Sequence, residues 1–550
     1  MSKFNLLDEK WLAVISGGHG EAEEVTLIDL FINSHKYVGL AGETPTQDFA
    51  VFRFLQAVLY TVFTRFDAKG ESYEWVSINK DNFQVENAID DDDIDDYREA
   101  LFKTWQDLWS KGKFPDIIIK YLEKYRHRFY LFDSKYPFFQ FPEIGEDDYP
   151  YSATENSINK LNGRILEGDP KKPRLFMSQR QDELEYSAAA RWLIYINGYA
   201  PSKSGNPGKK IKRDSTGVAY LGKLGGIYAS GKNLFETLLL NLNLSKSTCV
   251  QKPIWEVEPH IDNFKSVPNN LAQLFTYPSR QLLLKLNDNN KVNKFIIDLA
   301  VSNFEYVPNL KLEPFTFWRY DKKLDAKKWN AKEGIVPKRL DPDKYFWQEM
   351  QTFSKIQENQ QIPGVIEWLR TLQGEGIVSG TFSLNAVAEH YIQKDGVVDR
   401  QIYDRISENI GLLDNQENGW LAFIADQIIF TEQAIEKTIV RFAKDIENIR
   451  KTRNNRLEQD TKDQIFFAID QRFKKWLASI LPKDDMIKRS LEWKSVLEKE
   501  IKTQGERLIQ ESGNREYLGS YINKNGDKMD NIIKAYIRFK LNLKKEMGVK

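Results

Sequence analysis

Few residues in this 550-residue chain stand at spacings that do chemistry. The nearest to a catalytic motif is Gly226-Ile-Tyr-Ala-Ser-Gly231-Lys232-Asn233, which fits the phosphate-cradling P-loop pattern at every position but the last. There a Ser or Thr hydroxyl binds Mg²⁺, and the Asn233 amide does not supply that ligand. Phe295-Ile-Ile-Asp298 would provide the acidic strand end of such a nucleotide hydrolase. The competing reading is a Gly-rich turn ahead of a packed helix over Leu234–Leu244. The single cysteine, Cys249, follows a polar Ser-Lys-Ser-Thr stretch with no histidine close by, so it reads as a packed thiol rather than a nucleophile. One cysteine also excludes an intramolecular disulfide framework and any Cys-rich zinc or iron–sulfur site. His19, His35, His127, His260 and His390 contain no pair at i, i+3 or i, i+4, so no helix presents a metal site. No Gly-x-Ser-x-Gly elbow occurs. The residue patterns point to no catalytic centre, no metal and no cofactor.

The segment Ala200-Pro-Ser-Lys-Ser-Gly-Asn-Pro-Gly-Lys-Lys-Ile-Lys-Arg213 carries a different chemistry. Gly and Ser let backbone approach a groove floor or a phosphate closely, and Lys and Arg neutralise phosphate charge. On these residues alone a nucleic-acid loop and a solvated flexible loop stand level.

These candidates need a framework to hold them. Hydrophobic residues make up 41% of the chain and charged residues 29%, enough to bury a sizeable core, and 550 residues imply at least two domains. No run approaches the roughly 20 apolar residues that cross a bilayer, and Met1-Ser2-Lys3-Phe4-Asn5 lacks signal-peptide character, so a soluble cytoplasmic protein is expected. The 79 basic and 79 acidic residues cancel overall but not locally, because residues 431–550 carry 27 Lys/Arg against 19 Asp/Glu. The aspartates from Asp90 to Asp96 read as a solvated loop.

Residues 1–395 mix short strand-like runs (Trp11–Ile15, Val25–Ile28, Leu282–Leu286, Phe295–Leu299) with helical stretches (Phe49–Phe66, Glu99–Ser110), an irregular α+β domain without βαβ alternation. Residues 396–550 contain one proline after residue 400, Pro482, and four apolar stripes at helical spacing. The stripes run Trp420–Phe442, Phe466–Ile480, Leu491–Leu508 and Tyr517–Leu541, the last through Tyr521, Ile533, Tyr536 and Ile537. Breaks near Asn454-Asn455, Pro482–Asp485 and Ser512–Asn514 separate them and predict a C-terminal four-helix bundle.

Several segments in order resemble the CasA family, the large subunit of the type I-E CRISPR surveillance complex Cascade. They are Phe4-Asn-Leu-Leu-Asp-Glu-Lys-Trp11, Tyr136-Pro-Phe-Phe-Gln140, Gly231-Lys-Asn-Leu-Phe-Glu-Thr-Leu-Leu-Leu-Asn241, Glu313-Pro-Phe-Thr-Phe-Trp-Arg319 and Phe346-Trp347. The resemblance covers essentially the whole chain and turns the P-loop-like stretch into a family helix start.

The resemblance implies a non-catalytic subunit whose partners are the other Cascade subunits, the 5′ handle of the guide RNA, double-stranded target DNA and a recruited helicase–nuclease, with no membrane. In that family the protein inspects the protospacer-adjacent motif (PAM) beside the target and helps open the duplex, while guide pairing reads the sequence. The family's glycine loop, lying in the minor groove, falls on Ser202, Lys203, Ser204, Gly205 and Asn206, with fewer glycines than the usual pattern. Its lysine finger falls on the hairpin carrying Lys291 and Lys294, and the choice between them stays open. Its wedge hairpin falls on Gly380 followed by Thr381, Phe382, Ser383, Leu384, Asn385 and Ala386, with Asn385 where a glutamine is usual. Phe176 matches an aromatic used near the guide's 5′ handle, and Lys534, Arg538 and Lys545 would guide the DNA backbone. Two other readings remain: a nucleotide hydrolase using Gly226–Lys232, and a scaffold that joins only other proteins.

Overall fold

The computed structural model describes residues 4–17, 20–149, 153–161, 183–201, 217–264, 266–298, 312–320, 335–351, 362–392, 396–413, 419–452, 455–521 and 529–548. Its contacts divide the chain into two units, each interrupted in sequence. The first comprises Met1–Asp343, Gln357–Ile377 and Phe382–Arg405, and the second Lys344–Ile356, Val378–Thr381 and Ile406–Lys550. The 395/396 boundary expected from the sequence falls between the two longest strands, Thr381–Ile392 and Val397–Asn409.

The first unit is the expected irregular α+β body. β1 (Leu12–Ser16) lies between β2 (Ala22–Val25) and β3 (Tyr37–Leu40) in an antiparallel sheet. The strand expected to run on to Ile28 stops at Val25, because Thr26 turns the chain and its hydroxyl accepts from Asp29 N, capping α1 (Leu27–Asn33). The next helix, α2 (Pro45–Phe63), starts where the sequence signals it, with Thr44 as N-cap and Pro45 in the first turn. All but two of its residues are buried, so it is apolar all round and forms the centre of the unit. Its one buried cation, Arg53, makes a bidentate pair with Glu313 (2.7 and 2.8 Å) beneath the Phe275 ring. α3 (Ile94–Lys111) begins inside the aspartate run, whose carboxylates at Asp95 and Asp96 lie in its first turn, where the helix dipole favours negative charge. That run is therefore a helix entry rather than a plain loop. α4 (Ile117–Lys124) follows.

Three further elements carry the candidate site. α5 (Tyr186–Tyr199) is buried along most of its length. β4 (Thr154–Ser157), β6 (Gln281–Leu286) and β7 (Val292–Asp298) form a sheet in the order β4-β7-β6, with a tight hairpin between β6 and β7. β5 (Gly226–Ser230), β10 (Thr381–Ile392) and β11 (Val397–Asn409) form another with β10 in the middle, and β8 (Trp318–Tyr320) pairs with β9 (Ile335–Pro337). α6 (Leu234–Leu240) follows β5, and α7 (Leu271–Phe275) packs on α2.

The second unit contains the four expected helices. The first runs Trp420–Ile435, loosens into a π-turn over Glu436–Val440 and continues as Arg441–Arg450. The others are Arg456–Ala478, Met486–Gln510 and Ile532–Met547. Every named residue of the first two stripes is buried. The third and fourth need correction: Leu491, Tyr517, Tyr521, Ile533, Ile537 and Leu541 are exposed. The core faces are instead Trp493, Leu497, Ile501, Gly505 and Leu508, and Ile532, Ala535, Phe539, Leu543 and Met547. The last helix is apolar at two sets of i, i+4 positions, so periodicity alone selects neither face.

Candidate nucleic-acid interface

The P-loop reading fails at the level of the backbone. Gly226–Ser230 is not a loop but strand β5, paired with Ser383–Val387 of β10. The amides that would face a phosphate are already used by the following helix. Asn233 Oδ1 accepts from Glu236 N at 2.8 Å, Glu236 Oε2 accepts from Lys232 N at 2.8 Å, and Thr237 Oγ1 accepts from Gly231 N at 3.1 Å. This is a reciprocal helix-capping arrangement with Asn233 as its N-cap. Among the described residues no group of three or more His, Cys, Asp or Glu could hold a metal ion.

The β6–β7 hairpin presents its lysines differently. Asn287 Oδ1 accepts from the amides of Asn289 and Lys291, and Asn290 takes a left-handed φ of 57°, which closes the turn tightly. Lys291 therefore stands at the end of the turn, with its ammonium on Glu185, a side chain 72% exposed. Lys294 lies three residues into β7 and pairs with Glu155 at 2.7 Å, both about half exposed. Exposed pairs of this kind are worth roughly 0–1 kcal/mol, so either lysine exchanges a carboxylate for a phosphate at little cost. The turn is also tied to the start of α5, through Leu184 N to Val292 O (2.8 Å) and Tyr186 Oη to Asn290 O.

The segment 380–386 is not a hairpin. Gly380, at φ 92°, is the corner before β10, and Phe382, Ser383, Leu384, Asn385 and Ala386 run along the middle strand of the sheet, buried to 5% exposure or less. Only Gly380 and Thr381 are exposed. Asn385 donates to Tyr228 O and Ser230 Oγ and accepts from the Tyr403 hydroxyl, so its amide belongs to the sheet. β10 is paired along both edges, and β10 and β11 are joined instead through the interval from Ile392 to Val397, of which residues 393–395 lie outside the described residues.

Ser202, Lys203, Ser204, Gly205, Asn206 and Phe176 lie outside the described residues. The neck of the first segment is described. Ala219 N donates to Ala200 O at 2.8 Å, and the buried Arg280 guanidinium donates to Pro201 O (3.2 Å) and Gly217 O (2.7 Å). Sequence reading missed Arg280, because its partners stand 63 and 79 positions away and no local pattern marks them.

On the last bundle helix Lys534 and Lys545 are exposed. Arg538 is not a free cation. It pairs with Asp445 at 2.9 Å and with Asp530, and these bonds, Asp530 first, hold its guanidinium further above its ordinary value. Its role is to tie the helix down.

Comparison with known proteins gives one consistent answer. A family model described as "CRISPR-associated protein Cse1" matches residues 5–504. A CasA/Cse1 protein of Thermus thermophilus is 25% identical over 389 residues, which span 68% of this chain and 64% of that relative, just under two thirds of its length. Among solved structures, Thermobifida fusca Cse1 superposes with a TM-score of 0.80 at 23% identity, covering 99% of this chain and 98% of that one. Thermus thermophilus CasA gives 0.70 at 20% identity over the whole of both chains. A chain of a "CRISPR RNA-guided surveillance complex" gives 0.65 at 15% identity, covering 98% of this chain and 99% of that one. These likenesses show the shared fold, the family match spans 500 of the 550 residues, and the resemblance read from the motifs stands: this chain belongs to the Cse1 (CasA) family of CRISPR-associated proteins.

Proposed function

We propose that this chain is the large, non-catalytic subunit of a type I-E Cascade complex in the cytoplasm, where it reads the PAM in duplex DNA, helps open the duplex for guide pairing and offers a docking surface to a helicase–nuclease. The observation that carries this reading is the family membership over residues 5–504, joined by a fold match along nearly the full length of a chain in an RNA-guided surveillance complex. Local chemistry supports it. The 202–216 segment, which includes Lys203 and Asn206, brings cations and amides suited to minor-groove acceptors and phosphates. Lys291, at the end of a tight turn, is the lysine finger in this reading, and Lys294 a neighbouring phosphate contact. Burial removes Phe382–Ala386 from direct contact with DNA, so the duplex-opening element is assigned to the opposite end of the same hairpin, the interval from Ile392 to Val397, of which residues 393–395 lie outside the described residues. Phe176 is assigned to the guide's 5′ handle and Lys534 and Lys545 to the DNA backbone.

The test is duplex binding by Cascade reconstituted with and without this chain, at fixed salt, against a library randomised beside the target. Loss of motif-selective binding without the chain is expected. Equal selectivity without it would make the chain a scaffold.

A further inference from the structure

The described residues that flank the two elements assigned to the duplex above gather at one buried side-chain cluster. Tyr391 is the penultimate residue of β10, next to the β10–β11 turn, and its hydroxyl lies 2.7 Å from the Tyr199 carbonyl at the end of α5. Tyr199 is two residues before Pro201, where the 202–216 segment begins. On the far side of that segment Gly222 packs so closely on Tyr391 that a Cβ there would stand 2.6 Å from the hydroxyl oxygen. Arg280 closes the same neck by donating to both Pro201 O and Gly217 O. The cluster therefore holds three carbonyls of one neck and the end of one hairpin. All its members are inside the first unit.

We propose that Arg280 and Tyr391 are positioning residues: they fix the neck of the 202–216 segment and join it to the β10–β11 hairpin, so that motif reading and duplex opening are set by one rigid base. The inference rests on the proposed function of those two elements. Neither residue needs to touch DNA.

Counting hydrogens gives this arrangement a signature that simple packing lacks. The Tyr391 hydroxyl lies 2.7 Å from the Tyr199 carbonyl and 2.7 Å from Glu389 Oε2, and both are acceptors when the carboxylate is ionised. One hydroxyl hydrogen serves one of them. Both contacts become hydrogen bonds when Glu389 carries a proton, which it donates to Tyr391 Oη while Tyr391 donates to Tyr199 O. The other carboxyl oxygen accepts from Thr46, Tyr195 and Gln401. Among the described residues no cation pairs with Glu389; besides Arg280 at the neck, the charged groups near this cluster are Arg53 and Glu313, which act on Tyr199 and neutralise each other. Burial pushes the Glu389 carboxyl up to about 7. When it ionises, Tyr391 turns to the carboxylate and the neck loses one of its ties.

The experiment compares motif-bearing with scrambled duplexes bound by the reconstituted complex at fixed salt, at pH 6 and pH 8, for Arg280→Met, Tyr391→Phe, Glu389→Gln and the segment variants Lys203→Glu and Asn206→Ala. Amide exchange at Ala219, whose N–H spans the neck, is followed in the same proteins. Arg280→Met and Tyr391→Phe are expected to lower discrimination at least about fivefold, the low end of coupling between linked sites, and to speed exchange at Ala219. Wild-type discrimination should fall from pH 6 to pH 8, and Glu389→Gln, whose amide donates to Tyr391 at either pH, should keep the pH 6 value at pH 8. Unchanged discrimination in Arg280→Met and Tyr391→Phe, with the segment variants impaired, overturns the positioning role and leaves the reading function standing. Unchanged discrimination in Lys203→Glu and Asn206→Ala overturns the assignment of the segment and this inference with it. Should Arg280→Met not assemble, Tyr391→Phe, which removes a single oxygen atom, decides the matter alone.

Discussion

Replacing Glu408 should stabilise the protein, and by an amount that grows with pH. Glu408 lies near the end of β11 with no exposed surface, and neither of its side-chain oxygens has a hydrogen-bond partner among the described residues. Burial alone raises its carboxyl from 4.5 to about 8. Between these values the unfolded chain releases a proton that the folded chain keeps. Folding there takes up a proton, and stability falls as pH rises from about 4.5 towards 8. At pH 7 the gap is about 2.5 pH units, or on the order of 3 kcal/mol at ~1.4 kcal/mol per unit. Glu408→Met fills a similar volume without a titrating group. It is expected to exceed wild type modestly near pH 4.5, where the protonated carboxyl is neutral but still unpartnered, and by about 2–3 kcal/mol more at pH 7, a further rise of roughly 5–10 °C in the midpoint of a unit of this size. Glu408→Gln should abolish the pH dependence with a smaller gain, since a buried amide still lacks partners. The assay is thermal unfolding of wild type and variants at pH 5, 6, 7 and 8. Asp48 and Glu389 are also raised to about 7 by burial, but they are common to all the proteins and cancel in the difference. A wild-type-to-Met gap that stays flat from pH 5 to pH 8 would refute the reasoning.

Four further outcomes follow from the same structure. Lys291→Glu should leave the melting curve within about 0.5 kcal/mol, because its ion pair is exposed, while reducing the salt slope of duplex binding by the complex by about one. Arg53→Met leaves the Glu313 carboxylate buried without its cation and should cost about 3–5 kcal/mol in denaturant unfolding. Lys232→Ala should change no Mg·ATP signal in titration calorimetry, because the neighbouring amides cap a helix; a saturable wild-type signal that the variant loses would restore the hydrolase reading. Phe539→Ala should cost about 3–5 kcal/mol and Ile537→Ser little, and the reverse ranking would return the last bundle helix to the face read from the sequence.

The elements legible in the sequence were those whose signals are local. Thr44-Pro45 starts α2 where its cap chemistry places it, and the stripes Trp420–Phe442 and Phe466–Ile480 point inward because each has one continuous apolar face. The family was readable too, since its motifs are short segments in fixed order. Three readings failed for a shared reason. Gly226–Ser230 resembles a phosphate loop until β10, some 155 residues later, pairs with it as a strand. Phe382–Ala386 follows a glycine, as a hairpin would, but the sheet takes both of its edges. Arg538 looks like an exposed cation in a basic helix, yet Asp445, 93 residues earlier, holds it.

The amino-acid sequence by itself determined the class of the fold, the helical character of the C-terminal unit and the family, because propensity, capping and apolar period act over a few residues. Tertiary structure alone decided which groups are available to a partner. It buried Asn385, bound Arg538, left Lys291 at the end of a turn, and closed the neck of the 202–216 segment with Arg280 and Tyr391. Exposure, hydrogen-bond satisfaction and proton affinity depend on contacts between residues far apart in the chain, and local sequence carries no record of those contacts.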